Sequence, residues 1–175
     1  MIETKIYKGM SLLTVNDILT RNGWTEELLD SLQPSLTCHD PVHEGGTVRL
    51  YRVKDVEEVE HSSDFKKAVY AKEYADMCAW VEALIIDPAS DFNTESLIPD
   101  ALKFYNQAPY LIENVEENTF LQEIVKRFLL YNYYETLKTQ IQGKWGKEIS
   151  YLVFPLLAEK ITKAIHEAFP WIAGS

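Results

Sequence analysis

A chain of 175 residues has room for one domain or two small ones, and its 46% hydrophobic and 25% charged residues suit an ordinary soluble globular protein with a buried core. No apolar run reaches the roughly 20 residues that span a bilayer, no basic flank and apolar stretch mark a signal peptide, and two cysteines make no disulfide framework. The formal net charge of −10 argues against nonspecific nucleic-acid binding by the whole surface. A reducing cytoplasm and no membrane partner are therefore expected. The charge is uneven: residues 1–64 hold 6 Lys/Arg against 12 Asp/Glu, residues 65–118 hold 4 against 10, and residues 119–175 hold 7 against 5.

In chain order, residues 1–13 read as irregular, broken at Gly9. "TVNDILTRNG" (14–23) predicts a short helix, with Thr14 as N-cap and Gly23 as terminator. "WTEELLDSLQP" (24–34) predicts a second, capped by Thr25, with Trp24 stapled onto Leu29 and Pro34 as the stop. Two short helices joined at one glycine fit a helix-turn-helix and equally any helical hairpin. Residues 35–47 read as a loop, 48–53 as a strand and 54–60 as a short helix. Asp64 is the expected cap of the next helix. That helix is long, from Phe65 to about Ile86, with Phe65, Val69, Met77, Trp80, Val81 and Leu84 at three- and four-residue steps. Residues 87–118 are acidic and broken by prolines, with Pro99 in the first turn of a helix. Phe120 to about Gln142 is an aromatic-rich helix, "GKWG" (143–146) a turn, and Glu148–Phe169 a final helix interrupted near Pro155.

Few residues converge on chemistry. Cys38, His39 and His43 are of zinc-ligating type, but they lack a fourth ligand and paired spacing, and they read more simply as loop residues. No cofactor is implied. Cys38 has no evident base beyond the adjacent His39, and Cys78 sits near an apolar stripe. Glu57, Glu58 and Glu60 read as a solvated helix face, and Glu113, Glu116 and Glu117 as an acidic loop. The nucleic-acid candidates are Arg21, Arg49, Arg52 and Lys54. The second helix, which would enter the groove, carries Glu26, Glu27 and Asp30 and no cation. Arg49 and Arg52 either touch phosphates or pair with nearby acids. In the C-terminal part, Lys126, Arg127, Lys138, Lys144 and Lys147 accompany Tyr131, Tyr133, Tyr134 and Trp145, as a stacking platform or, more simply, as a packed core with a wet lysine face.

Residues 12–60 resemble the winged-helix domain of mercury-resistance-type regulators, with Arg49, Leu50, Tyr51, Asp55 and Val56 at the places of its R-L-Y strand and following helix. "DPVHEGGTVRLY" also resembles an element in the DNA-binding part of xeroderma pigmentosum group A protein, although Asp40 replaces its Asn and His43 stands one place late. Across most of the chain, "WTEELL", "DPVHEGGTVRLY", "VEEVEHSSDF", "AWVEAL", "FYN" and "EAFPWIA" resemble a group of uncharacterised bacterial proteins with two lobes. That resemblance implies bacterial origin and no established activity.

The expected fold is mainly α, with a winged-helix-like lobe containing a small β element (1–63), a connecting helix (64–87) and a C-terminal helical lobe (88–175). The expected function is non-enzymatic and DNA-associated or regulatory, through Arg49 and Arg52. The alternative is an acidic protein-interaction module that binds a basic partner or occludes a DNA-binding site. A partner or a second copy would then meet the 65–86 helix or the C-terminal aromatics. An enzyme without a visible active centre is the third reading.

Overall fold

The computed structural model describes residues 5–7 (backbone only), 9–111 and 114–173. It is mainly helical with one small antiparallel sheet, and the chain divides into two compact units, Met1–Ala71 and Lys72–Ser175.

The first unit is built on a sheet of β1 (Lys5–Tyr7), β2 (Met10–Thr14), β3 (Leu36–His39) and β4 (Thr47–Arg52), in the order β1-β2-β4-β3. β4 is central: Leu13 opposes Tyr51 on one side, and Cys38 opposes Val48 on the other. Two expectations are corrected here. Residues 1–13, read as irregular, contain β1 and β2, whereas residues 1–4 and 8 lie outside the described residues. The loop expected over 35–47 shrinks to 40–46, because β3 pairs along β4.

Between β2 and β3 run α1 (Val15–Leu19) and α2 (Glu26–Ser31). Thr14 and Asp17 form a capping box, with Thr14 Oγ1 accepting from Asp17 N–H at 3.2 Å and Asp17 Oδ2 accepting from Thr14 N–H at 2.8 Å. Thr25 caps α2 by accepting from Leu28 N–H at 3.2 Å. The glycine between the helices, Gly23, has φ +88°, a conformation other residues adopt at a cost. β4 leads into α3 (Val53–Glu60) and α4 (Ser63–Val69). Ser62, not Asp64, caps α4, through its Oγ and Phe65 N–H at 3.2 Å. These elements converge on one core of Leu13, Ile18, Trp24, Leu29, Tyr51, Val56 and Phe65.

Tyr51 is fully buried and its hydroxyl has no hydrogen-bond partner among the described residues. A buried, unpaired hydroxyl costs free energy, so Tyr51→Phe is expected to stabilise the unit by about 1 kcal/mol. An upward shift of the denaturation midpoint at unchanged m-value is the expected reading. A fall of similar size would reveal a bond to the hydroxyl.

The long helix expected over Phe65–Ile86 is broken at Tyr70 (φ −106°, ψ 39°) into α4 and α5 (Ala71–Ala83). The reason lies in the stripe. Phe65 and Val69 serve the core of the first unit, whereas Met77 and Val81 are buried in the second.

The second unit continues with α6 (Pro88–Asp91), α7 (Leu97–Gln107), α8 (Phe120–Trp145), α9 (Lys147–Ser150), α10 (Phe154–Ala168) and α11 (Pro170–Ala173). Its 26-residue α8 is about 39 Å long and packs chiefly against α7 and α10. α8 buries Ile124, Val125, Leu129 and Ile141, and α10 buries Leu157, Ile161 and Ile165 at helical spacing. The turn expected at "GKWG" is not one: α8 runs through Gly143 and Lys144 and stops at Gly146, where φ is +84°. Pro155 stands at the second position of α10, where its missing N–H costs nothing.

Lys160 of α10 donates from Nζ to the carbonyls of Val81, at 2.8 Å, and Glu82. These are carbonyls at the C-terminal end of α5, where a cation also opposes the helix dipole. Lys160→Met is expected to cost about 1 kcal/mol by losing those bonds. Thermal unfolding of the variant measures it, and an unchanged transition would show that water satisfies the carbonyls equally well.

Candidate functional site

The four nucleic-acid candidates sit on or beside the β3–β4 hairpin and the helices around it. Side chains alternate along a strand, so Arg49 stands on the same face of β4 as the buried Tyr51, and its partly exposed head reaches Asp30 of α2. Its Nη1 donates to Asp30 Oδ1 at 2.9 Å, and this bond, with a smaller effect from Tyr51, holds the guanidinium above its ordinary pKa. Arg52 Nε donates to Asp55 Oδ2 at 2.9 Å, and Ser35 Oγ donates to the same oxygen at 3.2 Å. Ser35 Oγ also accepts from Arg52 N–H at 3.3 Å, tying the end of β4 to the segment before β3. Lys54 Nζ lies 3.6 Å from Glu58 Oε1, with both side chains well exposed.

Arg21 plays a different part. Its Nε and Nη2 donate to the two oxygens of Glu60 at 2.6 and 2.7 Å, and Trp24 Nε1 donates to Glu60 Oε1 at 3.0 Å. Only 26% of the Arg21 side chain and 20% of that of Glu60 are exposed. The hydrogen bond to Glu60 raises the Arg21 pKa against the opposing effect of burial, and the same bond, helped by Trp24, holds Glu60 below the usual carboxylate range. This is a structural clamp between the α1–α2 turn and the end of α3.

Each of Arg21, Arg49, Arg52 and Lys54 therefore has its own carboxylate, and no carboxylate is shared. Sequence reading missed Asp30 and Glu60 as partners, which lie 19 and 39 residues from their arginines. Arg52–Asp55 and Lys54–Glu58 carry a legible signal, being three and four residues apart on or beside a helix. The acids of α2 remain outward: Glu26, Glu27 and Asp30 are exposed, as are Glu44 and Glu57.

Cys38, His39 and His43 do not converge. Neighbouring positions on β3 face opposite ways, with Cys38 half-buried and His39 exposed. His43 Nδ1 meets Asp40 Oδ2 at 2.9 Å. Asp40 also accepts from Val42 N–H at 2.8 Å, and these bonds, Val42's foremost, lower its pKa. Among the described residues no group of three His, Cys, Asp or Glu could hold a metal ion, and no helix is long and apolar enough to cross a membrane.

The aromatics of α8 mostly pack. Tyr133 meets Phe92 at 5.4 Å and donates to Asp91 Oδ2 at 2.5 Å, so burial, reinforced by that carboxylate, pushes its hydroxyl far above its ordinary pKa. Trp145 meets Trp80 at 6.0 Å, edge to face, with Lys144 Nζ 4.9 Å from its ring centre. Tyr134 meets Phe154 at 5.6 Å. Lys126 and Arg127 both reach Glu123, and Lys138 reaches Glu135. Of the expected stacking residues, Tyr131 is the exposed one, at 44%. Glu113, grouped with the acidic loop, lies outside the described residues.

Comparison of the chain with family models, curated proteins and solved structures gives no match.

Proposed function

We propose that this is a non-enzymatic interaction protein whose N-terminal unit offers an acidic, winged-helix-like surface to a basic protein partner. The observation that carries the reading is the pairing of Arg21, Arg49, Arg52 and Lys54, each with a carboxylate of its own. Four cations are offset, and the exposed Glu26, Glu27, Glu44 and Glu57 set the sign of what remains. The winged-helix likeness draws support from the order β2-α1-α2-β3-β4-α3, with β4 between the other two strands. In that geometry α2 would face the groove, and its outward side chains are acids that phosphates repel.

A DNA-associated role through Arg49 and Arg52 is the second reading, and one observation favours it. Both pairs lie at the surface, with 41% and 50% of the arginine side chains exposed, and exposed ion pairs are weak. A phosphate could displace the acid. The displaced Asp30 or Asp55 would still stand nearby, and its charge would oppose the exchange.

Titration of the full chain with a short oligolysine peptide separates the readings. Binding that weakens with salt and falls in Glu26→Gln plus Glu27→Gln is the expected result. Failure of oligolysine to bind at low salt would sink the basic-partner reading.

A further inference from the structure

We propose that the N-terminal unit binds a free α-amino acid with an apolar side chain, in the cleft between the α2–β3 connection and the start of α3. The site goes beyond the function proposed above and uses none of the exposed acids Glu26, Glu27, Glu44 and Glu57. An open cavity of about 430 Å³ lies in this cleft. That size falls within the usual range of ligand pockets. Its lining divides by chemistry: Met10, Leu32 and Pro34 form an apolar wall, and Ser35, Arg52 and Asp55 a polar one.

The polar wall is held in place by a closed ring of bonds. Ser35 Oγ donates to Asp55 Oδ2 at 3.2 Å and accepts from Arg52 N–H at 3.3 Å, and Arg52 Nε donates to the same Oδ2 at 2.9 Å. This ring uses one oxygen of Asp55 and one side-chain nitrogen of Arg52. Asp55 Oδ1 and the two terminal nitrogens of Arg52 make no hydrogen bond among the described residues. A guanidinium fork therefore stands beside a carboxylate oxygen at the cavity wall. The fork matches a ligand carboxylate, and the oxygen accepts from a ligand ammonium. A lone anion would meet the charge of Asp55, and a lone cation that of Arg52. An α-amino acid carries both charges on one carbon and satisfies both groups. Its side chain then lies against Met10, Leu32 and Pro34. The ring fixes Arg52 and Asp55 before binding, so little side-chain freedom is left to lose.

Leucine and its two single-charge analogues test the assignment: isocaproate, which lacks the amine, and isoamylamine, which lacks the carboxylate. Each is titrated into the isotopically labelled full chain and followed by NMR. Leucine is expected to shift the amide resonances of Leu32, Ser35, Arg52 and Asp55, and to bind about tenfold more tightly than either analogue, as the loss of one charge-assisted bond implies. Arg52→Gln is expected to remove the preference for leucine over isoamylamine, and Asp55→Asn the preference over isocaproate. If either variant does not fold, the comparison of the three ligands on the unaltered chain still decides. Isocaproate binding as tightly as leucine would make this a simple anion site and overturn the proposal, and isoamylamine binding as tightly would overturn it equally. No shifts at millimolar leucine, or shifts confined to residues outside the cleft, overturn it as well.

Discussion

Gly23→Ala is expected to destabilise the N-terminal unit by about 3 kcal/mol, through two costs that act together. Gly23 has φ +88°, where an L side chain is strained by about 1–2 kcal/mol. A Cβ built there would also lie 2.3 Å from Val69 Cγ2 and 3.0 Å from Phe65 Cζ. Overpacking of this kind costs about 1–3 kcal/mol. The α1–α2 turn can therefore touch α4 only because position 23 has no side chain. Adding Val69→Ala should relieve the nearer collision and leave the backbone strain, so the double variant should be more stable than the sum of the single losses implies. Denaturant unfolding of the four proteins measures this. Strict additivity would show that Val69 is not what the new methyl group meets.

Glu60→Gln is expected to cost about 2 kcal/mol, because hydrogen bonds to a charged acceptor are the stronger ones and Arg21 would face a neutral group. The partial exposure of the pair keeps the figure below that of a fully buried ion pair. Glu60 also carries a pH signature. Its folded pKa lies below the unfolded value, so its contribution is fully present above the ordinary glutamate pKa of about 4.3. That contribution is lost as pH falls through the lower, folded value. Stability of the unaltered chain should decline in acid more steeply than that of Glu60→Gln, and the two curves should converge at the lowest pH. Parallel curves throughout would show that the clamp does not depend on the carboxylate charge.

Local chemistry made part of the fold legible. The caps Thr14 and Thr25 act over a few residues, and each is found where its spacing places it. The strand read over 48–53 lies one place earlier, at Thr47–Arg52, and the helix expected to stop at Gly23 already ends at Leu19 with Thr20 as its cap. The interruption expected near Pro155 is the start of α10, with Pro155 in its first turn. The sheet was harder to read. β2 buries both Leu12 and Leu13, so it lacks the two-residue alternation of a half-buried strand. β3 does alternate, with Leu36 and Cys38 inward, but it is four residues long and flanked by Pro34 and Pro41. Its existence depends on pairing with β4, a tertiary fact. The break at Tyr70 has no proline or glycine to announce it, because its cause is the division of one apolar stripe between two cores.

The candidate site shows the same division between near and far. Arginines in a strand next to an acidic helix were visible as residues, and the two local ion pairs followed from spacing. The partners that change the meaning of Arg21 and Arg49 come from α3 and α2, brought close only by the fold. An arginine reads as a phosphate ligand until its acid is known.

The decisive measurement is titration of the full chain with mixed-sequence duplex DNA at about 50 and about 200 mM salt, the range over which phosphate contacts declare themselves. An acidic surface with its arginines paired predicts no binding at either concentration, and no change in Arg49→Ala plus Arg52→Ala. Binding that is strong at the lower salt, collapses at the higher and disappears in the double variant would contradict it and return those two arginines to the DNA backbone.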